Sequence, residues 1–173
     1  MANNNMHAGI AQKSDEITEE YRGNEGIVLV FNLFGENYAL DVNLVREIVR
    51  VPPTITRVPN AAHYVRGVIN LRGTVIPVMD ISQKMGGEPQ ELTTESRIVV
   101  AVLEEDVLFG FLVDAVREVS TIWESQIESA DASMEASVDK RYLRGVAKAD
   151  DGRLIVLLDL ASLFELDEGE EKE

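Results

Sequence analysis

Apolar residues crowd this chain in short runs rather than at helical spacing. Ile27-Val28-Leu29-Val30-Phe31-Asn32-Leu33 is β-branched and aromatic and predicts a strand. The turn Phe34-Gly35-Glu36-Asn37 separates it from a second apolar stretch, Tyr38-Ala39-Leu40. Val45, Glu47, Val49 and Val51 then share one face of an alternating strand that includes Ile48. Pro52-Pro53 ends that strand, because proline cannot donate to a ladder. Val65 to Leu71 and Thr74 to Ile81 flank Arg72-Gly73, a hairpin signal. Ile81 to Met85 predicts one helical turn before Gly86-Gly87, and the acid- and threonine-rich stretch Glu88 to Glu95 reads as a junction.

Past the junction the plan repeats. Arg97 to Leu103, the turn Glu104-Glu105-Asp106, Val107 to Val113 and Val116 to Ile122 read as strands, and the polar span Trp123 to Lys140 reads mostly as loop. Leu143 to Lys148, the turn Ala149-Asp150-Asp151-Gly152 and Arg153 to Leu158 form a matching hairpin. Asp159 to Leu166 is helix-like, with Leu160, Leu163 and Phe164 at helical spacing. The repetition extends to the residues themselves. Val45-Arg46-Glu47-Ile48 recurs as Val116-Arg117-Glu118-Val119, 71 residues on, and Tyr64-Val65-Arg66-Gly67-Val68 recurs as Tyr142-Leu143-Arg144-Gly145-Val146, 78 residues on. Pro77-Val78-Met79-Asp80-Ile81 and Val156-Leu157-Leu158-Asp159-Leu160 close the two copies at an offset of 79.

Each copy offers about five short strands with tight turns and little helix, the pattern of a small barrel that hides its edges by wrapping on itself. A barrel of about 65 residues has a thin core, and two packed together remedy that. The expected organisation is a tail over 1–25, disordered or loosely helical with Ser14 capping a turn through Tyr21. A two-barrel domain follows over 26–166, divided at roughly 26–90 and 91–166, and then an acidic disordered tail over 167–173. A groove between like modules is a natural binding site.

Composition narrows the function. The 173 residues contain no cysteine, which removes disulfides and thiolate metal sites and fits a reducing compartment. The first 26 residues lack the charged and apolar regions of a secretion signal, and no run approaches the ~18 apolar residues of a membrane span. The composition fits a cytosolic protein. The net charge of −15 opposes nucleic-acid binding, which favours a concentrated basic face. Residues 25–85 nevertheless carry +1, with Arg46, Arg50, Arg57, Arg66 and Arg72, while 86–164 carry −9 and 165–173 carry −5. The two halves are therefore suited to different partners.

Catalytic chemistry is hard to find. His7 and His63 are the only histidines, and there is no Gly-x-Ser-x-Gly elbow, Gly-x-Gly-x-x-Gly loop or phosphate loop. Asp80 and Asp159 recur at equivalent places, and paired carboxylates do acid–base work in enzymes. Each, however, ends a strand before a helical turn, where a carboxylate caps free N–H groups, and capping is the favoured reading. No cofactor or metal is expected. Trp123, the only tryptophan, reads either as an interface anchor or, more simply, as packing under a long loop.

The stretch Tyr64-Val-Arg-Gly-Val-Ile-Asn-Leu-Arg-Gly-Thr-Val-Ile-Pro-Val-Met-Asp80 closely resembles the signature of the CheW family, the coupling proteins of bacterial chemotaxis. Glu36-Asn-Tyr-Ala-Leu-Asp-Val-Asn-Leu-Val-Arg-Glu-Ile48 resembles the segment before it, and Phe109-Gly-Phe-Leu-Val-Asp-Ala-Val-Arg-Glu-Val119 resembles the family's second half. The likeness runs from about Ile27 to Leu166. It implies a mainly β fold of two SH3-like five-stranded barrels packed together, with short helical turns and a short C-terminal helix. It also implies a noncatalytic adaptor that binds the regulatory domain of the histidine kinase CheA and the cytoplasmic tip of chemoreceptors. Such an adaptor is cytoplasmic, recruited to membrane-associated receptor arrays, and self-associates in array rings.

The resemblance also assigns residues. Arg72 is similar to the family arginine needed for coupling and Glu47 to the acidic residue paired with it, so a Glu47–Arg72 ion pair is expected. Against this stands an ordinary exposed turn residue at 72. Val45, Val75, Ile98 and Val116 match apolar positions near the receptor groove, and each reads equally as barrel core. Gly67 and Gly73 serve backbone needs, close approach and a positive φ. The second copy has Ala147-Lys148-Ala149-Asp150-Asp151-Gly152 where the first has Ile69-Asn70-Leu71-Arg72-Gly73, so no second arginine hairpin is expected. Two alternatives stand beside this reading: an adaptor of a motility or developmental pathway, and a barrel reading single-stranded RNA, which the scarce aromatics and negative charge oppose.

Overall fold

A computed structural model of the chain describes residues 22–129 and 140–163. In chain order the described residues form β1 (Glu25–Leu33), β2 (Glu36–Asp41), β3 (Val45–Arg50), β4 (Val65–Leu71), β5 (Thr74–Asp80), α1 (Ile81–Lys84), β6 (Arg97–Val102), β7 (Leu108–Val113), β8 (Ala115–Trp123), β9 (Ile127–Glu128), β10 (Leu143–Lys148) and β11 (Leu154–Leu158). A further helical turn occupies 160–163. The fold is mainly β, as expected, with two sheets and few short helices.

The sheets do not follow the expected division near residue 90. The first has the order β3-β6-β7-β5-β4 and the second β8-β1-β2-β11-β10-β9, so each takes strands from both copies of the repeat. The exchange is reciprocal. Strand β3 pairs antiparallel with β6, and its counterpart β8 pairs with β1. Likewise β5 pairs in parallel with β7, and β11 with β2. Even the register is repeated: Val78 lies opposite Gly110, and Leu157 opposite Ala39, the offsets of 79 and 71 read from the sequence. Each copy thus lends its first hairpin to the other. Two equal hairpin patterns fit either sheet equally well, so the pattern alone does not state which is used.

In the second sheet β8 and β9 stand at opposite ends of the order, yet only the 3₁₀ turn Glu124–Gln126 separates them along the chain. The first sheet does the same, since the chain leaving β3 reaches Thr56, which bridges to Val68 of β4. Both sheets therefore curl, and each encloses a small core. Ile69, Ile76, Val78, Ile98, Val100 and Leu112 fill the first, and Val28, Val30, Ala39, Ile155 and Leu157 are among those filling the second. A third, larger core joins the sheets, with Leu29, Phe31, Leu33 and Leu40 from one side and Val99, Ala101, Phe109 and Phe111 from the other. The Phe31 and Phe111 rings meet with centroids 5.7 Å apart. Strand β1 sends alternate side chains to different cores, which is why Val28 to Leu33 contains so little polar sequence.

Some sequence expectations shift by a few residues. The segment placed in the tail is structured from Arg22, whose guanidinium lies 5.5 Å from the centroid of the half-buried Trp123 ring. Asn24 and Glu124 exchange backbone and side-chain hydrogen bonds, and β1 already begins at Glu25. Strand β9 interrupts the polar span read as loop; at two residues it is too short for any periodicity. The turn expected over 14–21, the end of the C-terminal helix and the acidic tail lie outside the described residues.

Tyr38 is buried in the shared core, and burial, then the charge of Glu36, pushes its hydroxyl up to about 12. Between pH 10 and 12 the unfolded chain releases this proton while the folded chain keeps it, so stability falls as pH rises through that window. The full interval corresponds to about 3 kcal/mol. Urea melts at pH 9.5 and 11.5 are expected to show this loss in wild type and a smaller one in Tyr38→Phe.

Candidate functional site

The hairpin joining β4 to β5 turns on Arg72 and Gly73, with φ of 52° and 87°. Positive φ at both central residues is the requirement of a type I′ turn, whose twist matches the strands it joins. Asn70 Oδ1 accepts a hydrogen bond from the Gly73 N–H at 2.8 Å and braces the turn. An arginine in this conformation costs about 1–2 kcal/mol relative to glycine. The side chain it presents is 80% exposed, and its Nη1 lies 3.0 Å from Glu47 Oε2 on β3. The expected ion pair is present. Glu47 is largely buried, and its other oxygen, Oε1, has no hydrogen-bond partner. Next to these residues along the strands, Ile48 and Val75 are exposed apolar side chains.

The expectation that only the first copy carries such an arginine is overturned. Arg153, just past Gly152, places Nη2 2.6 Å from Glu118 Oε1 and Nε 2.6 Å from Asp151 Oδ2. Glu118 is the repeat of Glu47, and Val119 and Leu154, the repeats of Ile48 and Val75, are likewise exposed. Position-by-position comparison sets Arg72 against Asp151, and so overlooks an arginine standing on the other side of the turn glycine. The Arg153 backbone N–H, followed by its side chain, holds the Asp151 carboxyl below its ordinary range.

The four apolar positions separate into three kinds. Val75 is 64% exposed. Val45 and Val116 are half-buried against the shared core, at equivalent β-bulges that skip Arg46 and Arg117. Ile98 is fully buried in the first sheet's own core, on a strand paired on both sides. It therefore does not face a groove, and its role is packing; alternation along β6 turns its side chain inward.

The two repeated aspartates cap helical turns. Asp80 Oδ1 accepts from the Gln83 N–H at 3.2 Å, and Asp159 Oδ1 from the Ser162 N–H at 3.2 Å. Asp80 does more: it is fully buried, accepts from the Gln90 N–H at 2.9 Å, and lies 3.5 Å from Arg66 Nε. It thereby ties the junction segment to the first sheet, and Arg66 donates a second tie to the Gln90 carbonyl at 2.6 Å. Its charge, after burial, also raises the carboxyl of Asp114 at the start of β8. An open cleft of about 890 Å³ lies here, lined by Asn32, Gly87, Gln90, Asp114 and Arg117 among others. Among the described residues no helix is long and apolar enough to cross a membrane.

Equivalent salt-bridged hairpins on two sheets that exchange strands, with the repeated carboxylates capping helical turns, define a duplicated, mainly β scaffold. The CheW-like domain family matches residues 28–168. The chain is 38% identical over 138 residues to the chemotaxis protein CheW of Thermotoga maritima, covering 80% of this chain and 87% of that one. It is 35% identical over 143 residues to CheW of Rhizobium meliloti, covering 83% and 90%. The scaffolding protein TtCheW of Thermoanaerobacter tengcongensis matches in structure with a TM-score of 0.71 and 34% identity, covering 82% of this chain and 88% of that one. The chain belongs to the CheW family. It is a noncatalytic adaptor of bacterial chemotaxis that couples receptors to the kinase CheA.

Proposed function

We propose that the adaptor works through two equivalent ends, one on each sheet, and that each curled sheet is an SH3-like barrel. The observation that carries this is the recurrence of one ion pair between equivalent elements, Glu47–Arg72 on the first sheet and Glu118–Arg153 on the second, with exposed apolar side chains at the equivalent positions Ile48 and Val75, and Val119 and Leu154. A chain with two such ends can sit between two neighbours. One neighbour is the CheA regulatory domain, and the other is a second kinase domain or a second copy of this chain, which closes a ring. Val45 and Val116, half-buried beside the shared core, contact the helical tip of the receptor, whose apolar face fits a groove between packed modules. The protein is cytoplasmic and reaches the membrane by joining receptor arrays. The domain spans 26–166, and the segments 1–25 and 167–173 flank it.

Arg72 occupies a costly backbone conformation to present an exposed charge, which suits a binding role. An exposed pair contributes about 0–1 kcal/mol to folding. Arg72→Ala is therefore expected to change Tm by no more than about 4 °C. In a pull-down against a CheA regulatory domain and a receptor tip it is expected to lower capture at least tenfold relative to wild type. Unchanged capture, or a variant that does not fold, removes Arg72 from the binding surface.

A further inference from the structure

The segment between β3 and β4 forms two adjoining open depressions of about 530 and 370 Å³, which share Arg57, His63, Val65 and Arg66. Pro52, Ile55, Gln83 and Leu92 are among the other residues that line the larger one. Among the described residues no carboxylate lines either depression, although the chain as a whole carries −15. Arg66 is held at the wall by Asp80 and the Gln90 carbonyl. Arg57 is exposed and makes no hydrogen bond or ion pair among the described residues. With Arg66 already paired to Asp80, Arg57 is the cation of this groove that has no acidic partner among the described residues, and an acidic ligand would supply one.

The chain carries one within reach. Leu163 is buried and lines a small cavity together with Ile81 and Lys84 of α1. Gln83, between those two residues, lines the groove, and the Lys84 ammonium lies 4.5 Å from the centroid of the Tyr64 ring, next to His63. The chain therefore leaves the core beside the helix that borders the groove. The ten residues 164–173 include Glu165, Asp167, Glu168, Glu170, Glu171 and Glu173 against a single lysine, Lys172. Ten residues reach about 33–36 Å when extended, well beyond the ~10–12 Å width of the helix to be crossed.

We infer that the acidic C-terminal segment docks in the groove of Arg57, His63 and Arg66 on the first sheet. There it competes with any partner that presents an acidic segment to that face. The inference rests on charge and reach, and stands whether or not the two-ended binding described above is correct.

The absence of cysteine makes the test direct. A nitroxide attached to Lys172→Cys in the full-length chain is expected to broaden the backbone amide signals of Arg57 to Arg66 to less than half their intensity at low salt. Reducing the label should restore them. Sodium chloride at about 0.5 M, which shortens screening to a few ångströms, is expected to abolish the effect, as is Arg57→Glu in the same labelled chain. Broadening near Trp123 instead, no broadening, or broadening that survives both salt and Arg57→Glu overturns the inference. The amide spectrum itself reports that each variant is folded.

Discussion

Gly67→Ala is expected to lower Tm by about 6–12 °C, and Gly73→Ala by about half as much or less. In a chain of this length each kcal/mol corresponds to about 2–4 °C. Gly67 has φ of +147°, and a Cβ placed there would lie 2.2 Å from the Thr56 carbonyl oxygen and 2.8 Å from its carbon. Those are backbone atoms in the bridge that joins the end of the β3 segment to β4, with Val68 N–H donating to Thr56 O at 2.8 Å. Relief of the clash requires that bridge to open. Backbone strain and overpacking together amount to about 3 kcal/mol, a large share of the 5–15 kcal/mol that holds a domain folded. Gly73 has φ of +87° with open space around it, so only the conformational cost of about 1–2 kcal/mol remains. Gly145 is the repeat of Gly67, and its Cβ would lie 2.6 Å from the Glu128 oxygen. Thermal melts of the three variants should therefore place Gly67→Ala and Gly145→Ala together, below Gly73→Ala. Equal melting temperatures for all three would show that close approach is not what these glycines serve.

Asp80→Ala is expected to cost about 3–5 kcal/mol, the usual consequence of removing one partner of a buried pair. The substitution orphans the Gln83 and Gln90 N–H groups and leaves Arg66 without its carboxylate. Asp159→Ala removes a half-buried cap that accepts from the Ser162 N–H and is expected to cost about 1 kcal/mol. Chemical denaturation should separate the two by at least twofold. A second readout is the titration of Asp114, which burial first and Asp80 second hold above the ordinary carboxyl range. In Asp80→Asn the Asp114 midpoint is expected to fall, yet stay above the ordinary value, because burial remains. A group with a raised carboxyl loses its contribution to stability as pH rises from the unfolded midpoint to the folded one. That small loss near the carboxyl range should shrink in Asp80→Asn. If the two aspartate variants prove equally stable, the junction is not anchored through Asp80.

Much of this was legible in the residues. Runs such as Ile27 to Leu33, the alternation at Val45 to Val51 and the Arg72-Gly73 turn are local signals, and they placed the strands within a residue or two. The Glu47–Arg72 pair followed from the family motif and appears at 3.0 Å. The sequence concealed what depends on position in space. Ile98 and Val75 both look like strand valines or isoleucines in a row of similar residues, yet one is enclosed and the other is 64% exposed. Burial is decided by which neighbour a strand acquires, and neither residue type encodes that. Arg153 was missed for the same reason: its partnership with Glu118 spans 35 residues and depends on the curl of the second sheet.

The duplication itself belongs to the sequence alone, as do the element types, the turn chemistry and the divided charge, because each is a property of residues near one another along the chain. The tertiary structure decided who pairs with whom. Two like hairpins can complete either sheet, and the difference between pairing at home and pairing across comes only from the assembled core, where Phe31 meets Phe111 and Leu29 and Val99 are buried together. Exchange makes each sheet depend on both copies, so neither half of the repeat supplies a sheet of its own. It also sets the two salt-bridged ends on separate sheets, which gives an adaptor two places to hold.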